Sequence, residues 1–239
     1  MVQDLFQTQA RTGRTLSLSQ RLSLTQPVGV GGIFEVFGQR REVNEDQDDS
    51  VFDIGTGTPV FNDFLSSGFE RTYSYLRGGF RFNKNTEDTR FVIGLQVQRS
   101  NLDGTILDRD EYIENGYTHV LPSADYRIQL DEAKTLNFRY TTSTREPSMT
   151  ELQPFADNTN PIRTYIGNPN LTPEYSHSFN ADYRFFDQFS FVNLFTYLRF
   201  SYTNDDIVQS RVIDEQALQT VMPVNIDHSW STNGGVTYG

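Results

Sequence analysis

Two-residue alternation of apolar and polar side chains, held for about ten residues at a time, most limits what this chain can become. In "KTLNFRYTTSTR" Leu136, Phe138 and Tyr140 point one way; Asn137, Arg139, Thr141, Ser143 and Arg145 point the other. In "RTLSLSQRLSLT" Leu16, Leu18, Leu22 and Leu24 oppose Ser17, Ser19, Arg21 and Ser23. "HVLPSADYRIQL", "YSHSFNADYRFF" and "FSFVNLFTYLRFSY" behave alike, and so does "TRFVIGLQVQRS" apart from Val92. A β-strand turns successive side chains to opposite faces, so each segment reads as a strand with one apolar and one polar face. Globular strands average ~5–6 residues, whereas ~9–11 are needed to cross a bilayer at a tilt. The expected fold is all-β: an antiparallel up-and-down transmembrane β-barrel segment of about ten strands.

The connections support that reading. Short ones fall at "QPVGVGG" near Pro27, at Asn83 to Asp88, at Asp131 to Lys134 and at Asp187, with a further turn expected near Asp227. Long ones fall at Val43 to Ser67, Asp103 to Asn115, Glu146 to Glu174 and Asn204 to Glu215. Short turns on one side and long loops on the other are what an outer-membrane barrel has. A Greek-key sandwich does not keep that order. Pro122 sits inside a strand pattern and is expected to mark a bulge.

Composition narrows function. A net charge of −11 argues against a nucleic-acid partner. Without cysteine there is neither a disulfide frame nor a thiolate metal site. The first residues show no signal-peptide pattern, and no apolar run is long enough for a transmembrane helix. The 19 Phe and 12 Tyr, with low overall hydropathy, suit a chain with one face in lipid, though a soluble β-sandwich also tolerates them.

The stretch between two of the cleanest strands carries a resemblance. "REPSMTELQPF" (Arg145 to Phe155), then Asn160-Pro161, then "GNPNLTPEYSHSF" (Gly167 to Phe179) resembles the barrel of Bacteroidetes-type TonB-dependent outer-membrane receptors. "LPSADYR" (Leu121 to Arg127) and "PVNIDHSW" (Pro223 to Trp230) resemble strands of the same family. The resemblance implies a barrel of about 22 strands around an N-terminal plug. It also implies import of a scarce ligand (an iron chelate, a vitamin or a glycan) in the bacterial outer membrane, driven through TonB. Against that pattern, residues 1–239 read as one barrel-domain fragment, without plug and remaining strands. The implied partners are outer-membrane lipid, the receptor's own plug, TonB, and a small-molecule or glycan ligand. Two other readings stay open: a soluble or surface β-sandwich that binds a ligand, and a passive porin-like barrel.

Candidate site residues fall in two groups. The loop motif comprises Arg145, Pro147, Glu151, Leu152, Gly167, Asn168, Pro169, Leu171, Pro173 and Glu174. Its expected duty is architectural: Gly167 at positive φ, Asn168-Pro169 as a turn, Leu171 as an anchor on the wall, and Pro173 as a stiffener. Glu174 is expected to accept loop amides or to pair with an arginine such as Arg163. Ligand choice is then expected from Ala156 to Ile166 and Val43 to Ser67. The second group, Arg127, Arg139, Arg184, Arg199, His119 and Asp125, together with Arg21 and Arg99, is expected to line the lumen. These residues pair within the wall, or meet plug carboxylates or an anionic ligand. Trp230 and Tyr238 suit an interfacial rim. His119, His177 and His228 are scattered without a nucleophile motif, so no catalytic site and no cofactor is read. The acidic run "REVNEDQDDSVFD" offers hard oxygen ligands but lacks EF-hand glycine spacing, and reads as a solvated loop. "PVGVGG" reads as a tight turn.

Overall fold

The computed structural model describes residues 7–54, 58–62, 66–107, 111–153, 156–160 and 162–239. Nine long strands form the wall: β1 (Gln7–Pro27), β2 (Gly32–Asp53), β4 (Ser67–Asn85), β5 (Thr89–Ile106), β6 (Glu111–Asp131), β7 (Lys134–Arg145), β10 (Glu174–Phe186), β11 (Asn193–Ile213) and β12 (Gln219–Tyr238). Three short strands, β3 (Val60–Phe61), β8 (Ala156–Asn160) and β9 (Arg163–Ile166), and one short helix, α1 (Met149–Leu152), lie in the connections. Each wall strand pairs antiparallel with the next, in the order β1-β2-β4-β5-β6-β7-β10-β11-β12. β9 folds back to pair parallel with the start of β12, and β8 lies beyond it. β7 lies between β6 and β10, as the order of turns and loops predicts.

Strands run well past the segments that alternate cleanly. β2 has 22 residues, about 70 Å at ~3.3 Å per residue, about twice what a bilayer crossing needs. Three of the expected long loops are therefore mostly strand. β2 continues through the acidic run to Asp53, β5 and β6 leave only residues 107–110 between them, and β11 and β12 leave 214–218. The turn expected near Asp227 is absent: β12 passes through it, with Asn204 opposite His228. These extensions carry polar side chains on both faces because they stand in water on both sides, so the alternation fades while the ladder continues.

Register assigns the faces. Leu22, Gly38, Gly78, Val97 and Val120 lie in one row across five strands. Leu22, Val97 and Val120 are exposed there, on the face that an outer-membrane barrel turns to lipid. The opposite face holds Phe37, Tyr73, Tyr75, Gln98, Leu102 and Leu121, all buried. The apolar outward band lies toward the short turns: on β6 it runs from Val120 to Leu130, and on β7 it covers Leu136, Phe138 and Tyr140. The strands thus project from the membrane on the side of the longer connections. Among the described residues no helix is long and apolar enough to cross a membrane.

Two local features position the site. In the β1–β2 turn Gly29 and Gly31 have φ of 62° and 71°, and a Cβ on Gly31 would lie 2.1 Å from the Asn85 carbonyl oxygen. Only glycine suits that turn. Pro122 makes no bulge. It stands where the β6–β7 ladder stops, since pairing runs from Asp131↔Lys134 to Ser123↔Thr141 and no further. The N–H and C=O of one strand residue point to the same neighbour. The Pro122 carbonyl accepts the Thr142 hydroxyl at 2.8 Å, so the N–H that proline lacks would also have faced β7. Beyond this point β7 separates from β6, and the chain after Arg145 folds onto the inner face.

Candidate functional site

The fold-back begins with a capped turn of helix. Ser148 is the N-cap of α1: its hydroxyl accepts the Glu151 N–H at 3.3 Å, while the Glu151 carboxylate accepts the Ser148 N–H at 2.8 Å and its hydroxyl at 2.9 Å. This is a capping box, spelled Ser-Met-Thr-Glu. Glu151 also accepts Arg145 Nη1 at 3.0 Å. The other side of that guanidinium forks onto Glu174, with Nε to Oε2 at 2.8 Å and Nη2 to Oε1 at 2.6 Å. Glu174 then accepts the Ile207 N–H at 2.9 Å. One arginine thereby ties the start of the loop to its end and, through Glu174, to β11. Glu174 pairs with Arg145, not Arg163, whose side chain reaches Gln209 at 3.4 Å. Burial alone would push the Glu151 carboxyl up. The hydrogen bonds from Arg145 and Ser148 outweigh it and hold the group below the usual carboxylate range.

The returning segment is sewn to α1 and to β12. The Gly167 N–H donates to Gln153 O at 2.9 Å and the Asn168 N–H to Glu151 O at 2.7 Å. Gly167 does not adopt positive φ. It is glycine for want of room: a Cβ would lie 2.2 Å from Gln153 O and 2.7 Å from Gln153 N. Asn168 closes an Asx turn on the Asn170 N–H at 3.0 Å and donates its amide to Pro223 O at 3.1 Å. Asn225 of β12 then clasps Thr172 both ways, accepting its N–H at 2.9 Å and donating to its carbonyl at 3.0 Å. The same amide also reaches Asp205 O at 2.6 Å, where φ is 52°.

Apolar packing completes the attachment. Leu152 and Leu171, each 1% exposed, pack with Tyr73, Tyr75 and Leu102 of the wall, bordered by Val43 and Ile207. Full burial of a leucine is worth about 1.5–3 kcal/mol. Pro147, Gln153 and Pro173 are buried as well. Arg71, 8% exposed, bridges the wall to the loop through Glu45 at 2.6 Å and the Pro147 carbonyl at 2.8 Å. Gln98, 1% exposed, takes Arg77 on one side and donates to Thr144 at 3.1 Å and Glu146 at 3.3 Å. Neither Arg71 nor Gln98 stands out in the sequence, and neither does Asn225. The Ser-x-x-Glu spacing of the capping box is a local signal from which the start of α1 could have been read. A cleft of about 530 Å³ remains between the loop and β6, lined by Tyr112, Glu114, Tyr117, Pro169, Leu171 and Thr172 among others.

The second group of candidates is not drawn into this attachment. Asp125, Arg139, Asn180 and Arg199 form a row over four strands on the face that carries the loop, nearer the short turns. Arg139 pairs with Asp125 at 2.7 Å. Arg184 and Arg199 lie over the Phe195 and Tyr197 rings, and Arg127 stands opposite Asn137. His119 lies between the Tyr117 and Tyr175 rings. Arg99 departs from expectation: it shares the outward face with Leu95 and Val97, opposite Leu76 and Thr118. The acidic run is strand, and most of its carboxylates are engaged, among them Asp49 with Arg11 at 2.6 Å, Glu45 with Arg71 and Asp53 with Gln7 at 2.7 Å. Among the described residues no cluster of His, Asp or Glu is arranged to hold a metal ion. Pro154, Phe155 and Pro161 lie outside the described residues.

Comparison with known proteins places this architecture. The fold matches the copper transporter OprC (TM-score 0.67, 15% identity, 96% of this chain and 36% of that one). It also matches the ferric citrate transporter FecA (0.61, 12%, 100% and 33%). A third match is the Serratia marcescens hemophore receptor HasR in complex with hemophore HasA and heme (0.63, 14%, 96% and 39%). The chain therefore spans between a third and two fifths of these relatives' length. At such identities the likeness is one of fold. No curated protein matches by sequence. The model of the outer membrane protein beta-barrel family matches residues 2–239, and with the lipid-facing band and the up-and-down wall it identifies the chain as a member of that family, in the bacterial outer membrane.

Proposed function

We propose that residues 1–239 are the barrel-wall part of a TonB-dependent receptor that imports a scarce ligand: an iron chelate, a vitamin or a glycan. The observation that carries this reading is the loop between β7 and β10. It holds the motif that resembles such receptors, and it is folded onto the inner wall by Arg145, Glu151, Gly167, Asn168 and Glu174. A passive pore gains nothing from this elaborate attachment, whereas a receptor needs a rigid, ordered inner surface on which a ligand or a plug rests. The motif residues act as architecture, and the inward row Asp125, Arg139, Arg199 with Arg127, Arg184 and His119 faces the plug. Ligand choice falls to residues 43–67 and 156–166 and to the cleft beside Ile113 and Tyr117. Full transport requires the plug and further wall strands, and the energy comes through TonB.

The test is gene-dependent uptake of a labelled ferric siderophore, cobalamin and an oligosaccharide, each with and without a protonophore. Accumulation of one of them that needs both the gene and the proton gradient supports the reading. Gene-dependent entry that ignores the protonophore identifies a passive barrel instead.

A further inference from the structure

On β2, β4, β5, β6, β7 and β10 the outward face changes from apolar to polar toward the loops, and the first polar side chain beyond the apolar band is never a carboxylate. On β2 and β5 it is Arg40 and Arg99, four residues beyond Val36 and two beyond Val97. On β10 it is His177, beyond Phe179. On β4, β6 and β7 it is Ser74, Thr118 and Thr142. This holds in a chain with 31 acidic and 20 basic residues. Carboxylates return one or two steps higher, at Glu42, Asp103 and Glu114.

Arg40 and Arg99 form the sharpest part of this rim. Both pair in register with Leu76, Arg40 from β2 and Arg99 from β5. They are thus two strand spacings apart, about 10 Å, on either side of an exposed leucine. Both side chains are exposed; Arg99 has no ion pair or hydrogen bond among the described residues, and Arg40 has one, to Glu42 at 2.8 Å. Below them the face is apolar through Leu22, Val97 and Val120. A surface with acyl-compatible side chains below, two guanidiniums at the boundary and carboxylates above matches one occupant in charge and polarity: an anionic lipid standing in the leaflet. Guanidinium forks bind phosphate oxygens in pairs. We propose that Arg40 and Arg99 hold the phosphate groups of a phosphorylated glycolipid of the outer leaflet, with its acyl chains on the band beneath.

The experiment uses the full-length receptor, purified in detergent and delipidated. It is titrated with bisphosphorylated lipid A, with dephosphorylated lipid A and with inorganic phosphate, and followed by native mass spectrometry and thermal shift. The bisphosphorylated lipid binds and raises Tm; the dephosphorylated lipid binds about tenfold more weakly or less well still. Arg40→Gln with Arg99→Gln weakens the bisphosphorylated lipid by a similar factor, while Arg41→Gln, on the lumen face of the same strand, leaves it unchanged. Should the double variant fail to insert, Arg99→Gln alone carries the test, with a loss of about threefold or more. Equal binding of the two lipids, wild-type binding by the arginine variants, or the same thermal shift from inorganic phosphate overturns the proposal.

Discussion

Gly167→Ala is the smallest change that probes the loop attachment. The added methyl would lie 2.2 Å from Gln153 O, 2.7 Å from its N and 2.8 Å from its C, whereas ordinary contact begins at 3.4 Å. The two strands of chain must therefore part by about 1.2 Å, the difference of those two distances. All three obstructing atoms are backbone, so no rotamer change relieves the clash. The separation breaks the Gly167 N–H to Gln153 O bond and strains the Asn168 N–H to Glu151 O bond beside it. Each is worth about 0.5–1.5 kcal/mol net, and a buried donor left unpaired costs about 1–3 more. A local loss of about 2–3 kcal/mol follows, which lowers amide protection by about 30- to 150-fold. Hydrogen exchange on the full-length protein in detergent reads this directly in peptides covering residues 148–153 and 167–172. Wall peptides of β4 and β5 keep their protection, because their ladder does not involve the loop. Gly38→Ala is the control, since nothing lies within 4 Å of its Cβ position. Unchanged protection in the loop, or equal loss in loop and wall, refutes the reasoning.

Three further outcomes follow from the same geometry. Asn225→Ala removes the bonds to Thr172 and Asp205 and costs about 1–3 kcal/mol locally, so exchange rises at residues 171–173 before it rises at 148–153. Leu171→Ala opens a cavity beneath Tyr73 and Leu102 and costs about 2–5 kcal/mol of loop attachment, seen as protease cleavage within residues 146–173 while the wall stays intact. The Glu151 carboxyl is held low in the folded state, so its contribution is complete above the unfolded value of about 4.3 and disappears as pH falls through the lower folded value. The loop therefore keeps its protection down to about pH 4 and loses it below, and Glu151→Gln flattens that dependence.

The wall was legible wherever one face meets lipid. Leu136, Phe138 and Tyr140 announce β7, and its neighbours follow from loop order alone. The same rule failed where strands leave the membrane. Val43 to Asp53 carries Glu45, Asp46, Asp48 and Asp49, polar on both faces, and so reads as loop although every residue has a ladder partner on β1. Parity was enough to place Arg99 outward, two residues after Val97; its charge drew it to the wrong face. Gly167 was the right residue for a different reason: crowding by Gln153, a contact across a loop that no local pattern encodes. Asn225 and Thr172 are 53 residues apart and meet only because β12 follows β11 and the loop folds inward.

The site of that inward fold has a physical logic of its own. Parting two wall strands normally leaves unpaired N–H groups, at a cost that opposes any opening. At Pro122 there is no N–H to leave unpaired, and the Thr142 hydroxyl satisfies the carbonyl. The ladder ends at the one β6 position where the break begins at least cost. The freed loop is then held from five wall strands at once: Arg71 on β4, Arg145 on β7, Glu174 on β10, Ile207 on β11 and Asn225 on β12. Each of these contacts depends on the spacing and register of strands, not on the chemistry of any ligand. Under the proposed function, side chains that tune affinity lie off this set and vary without loosening the wall, as Ile113, Asn115 and Asn170 do around the cleft. On that reading the residues that hold the loop on the wall are separate from those that choose a ligand.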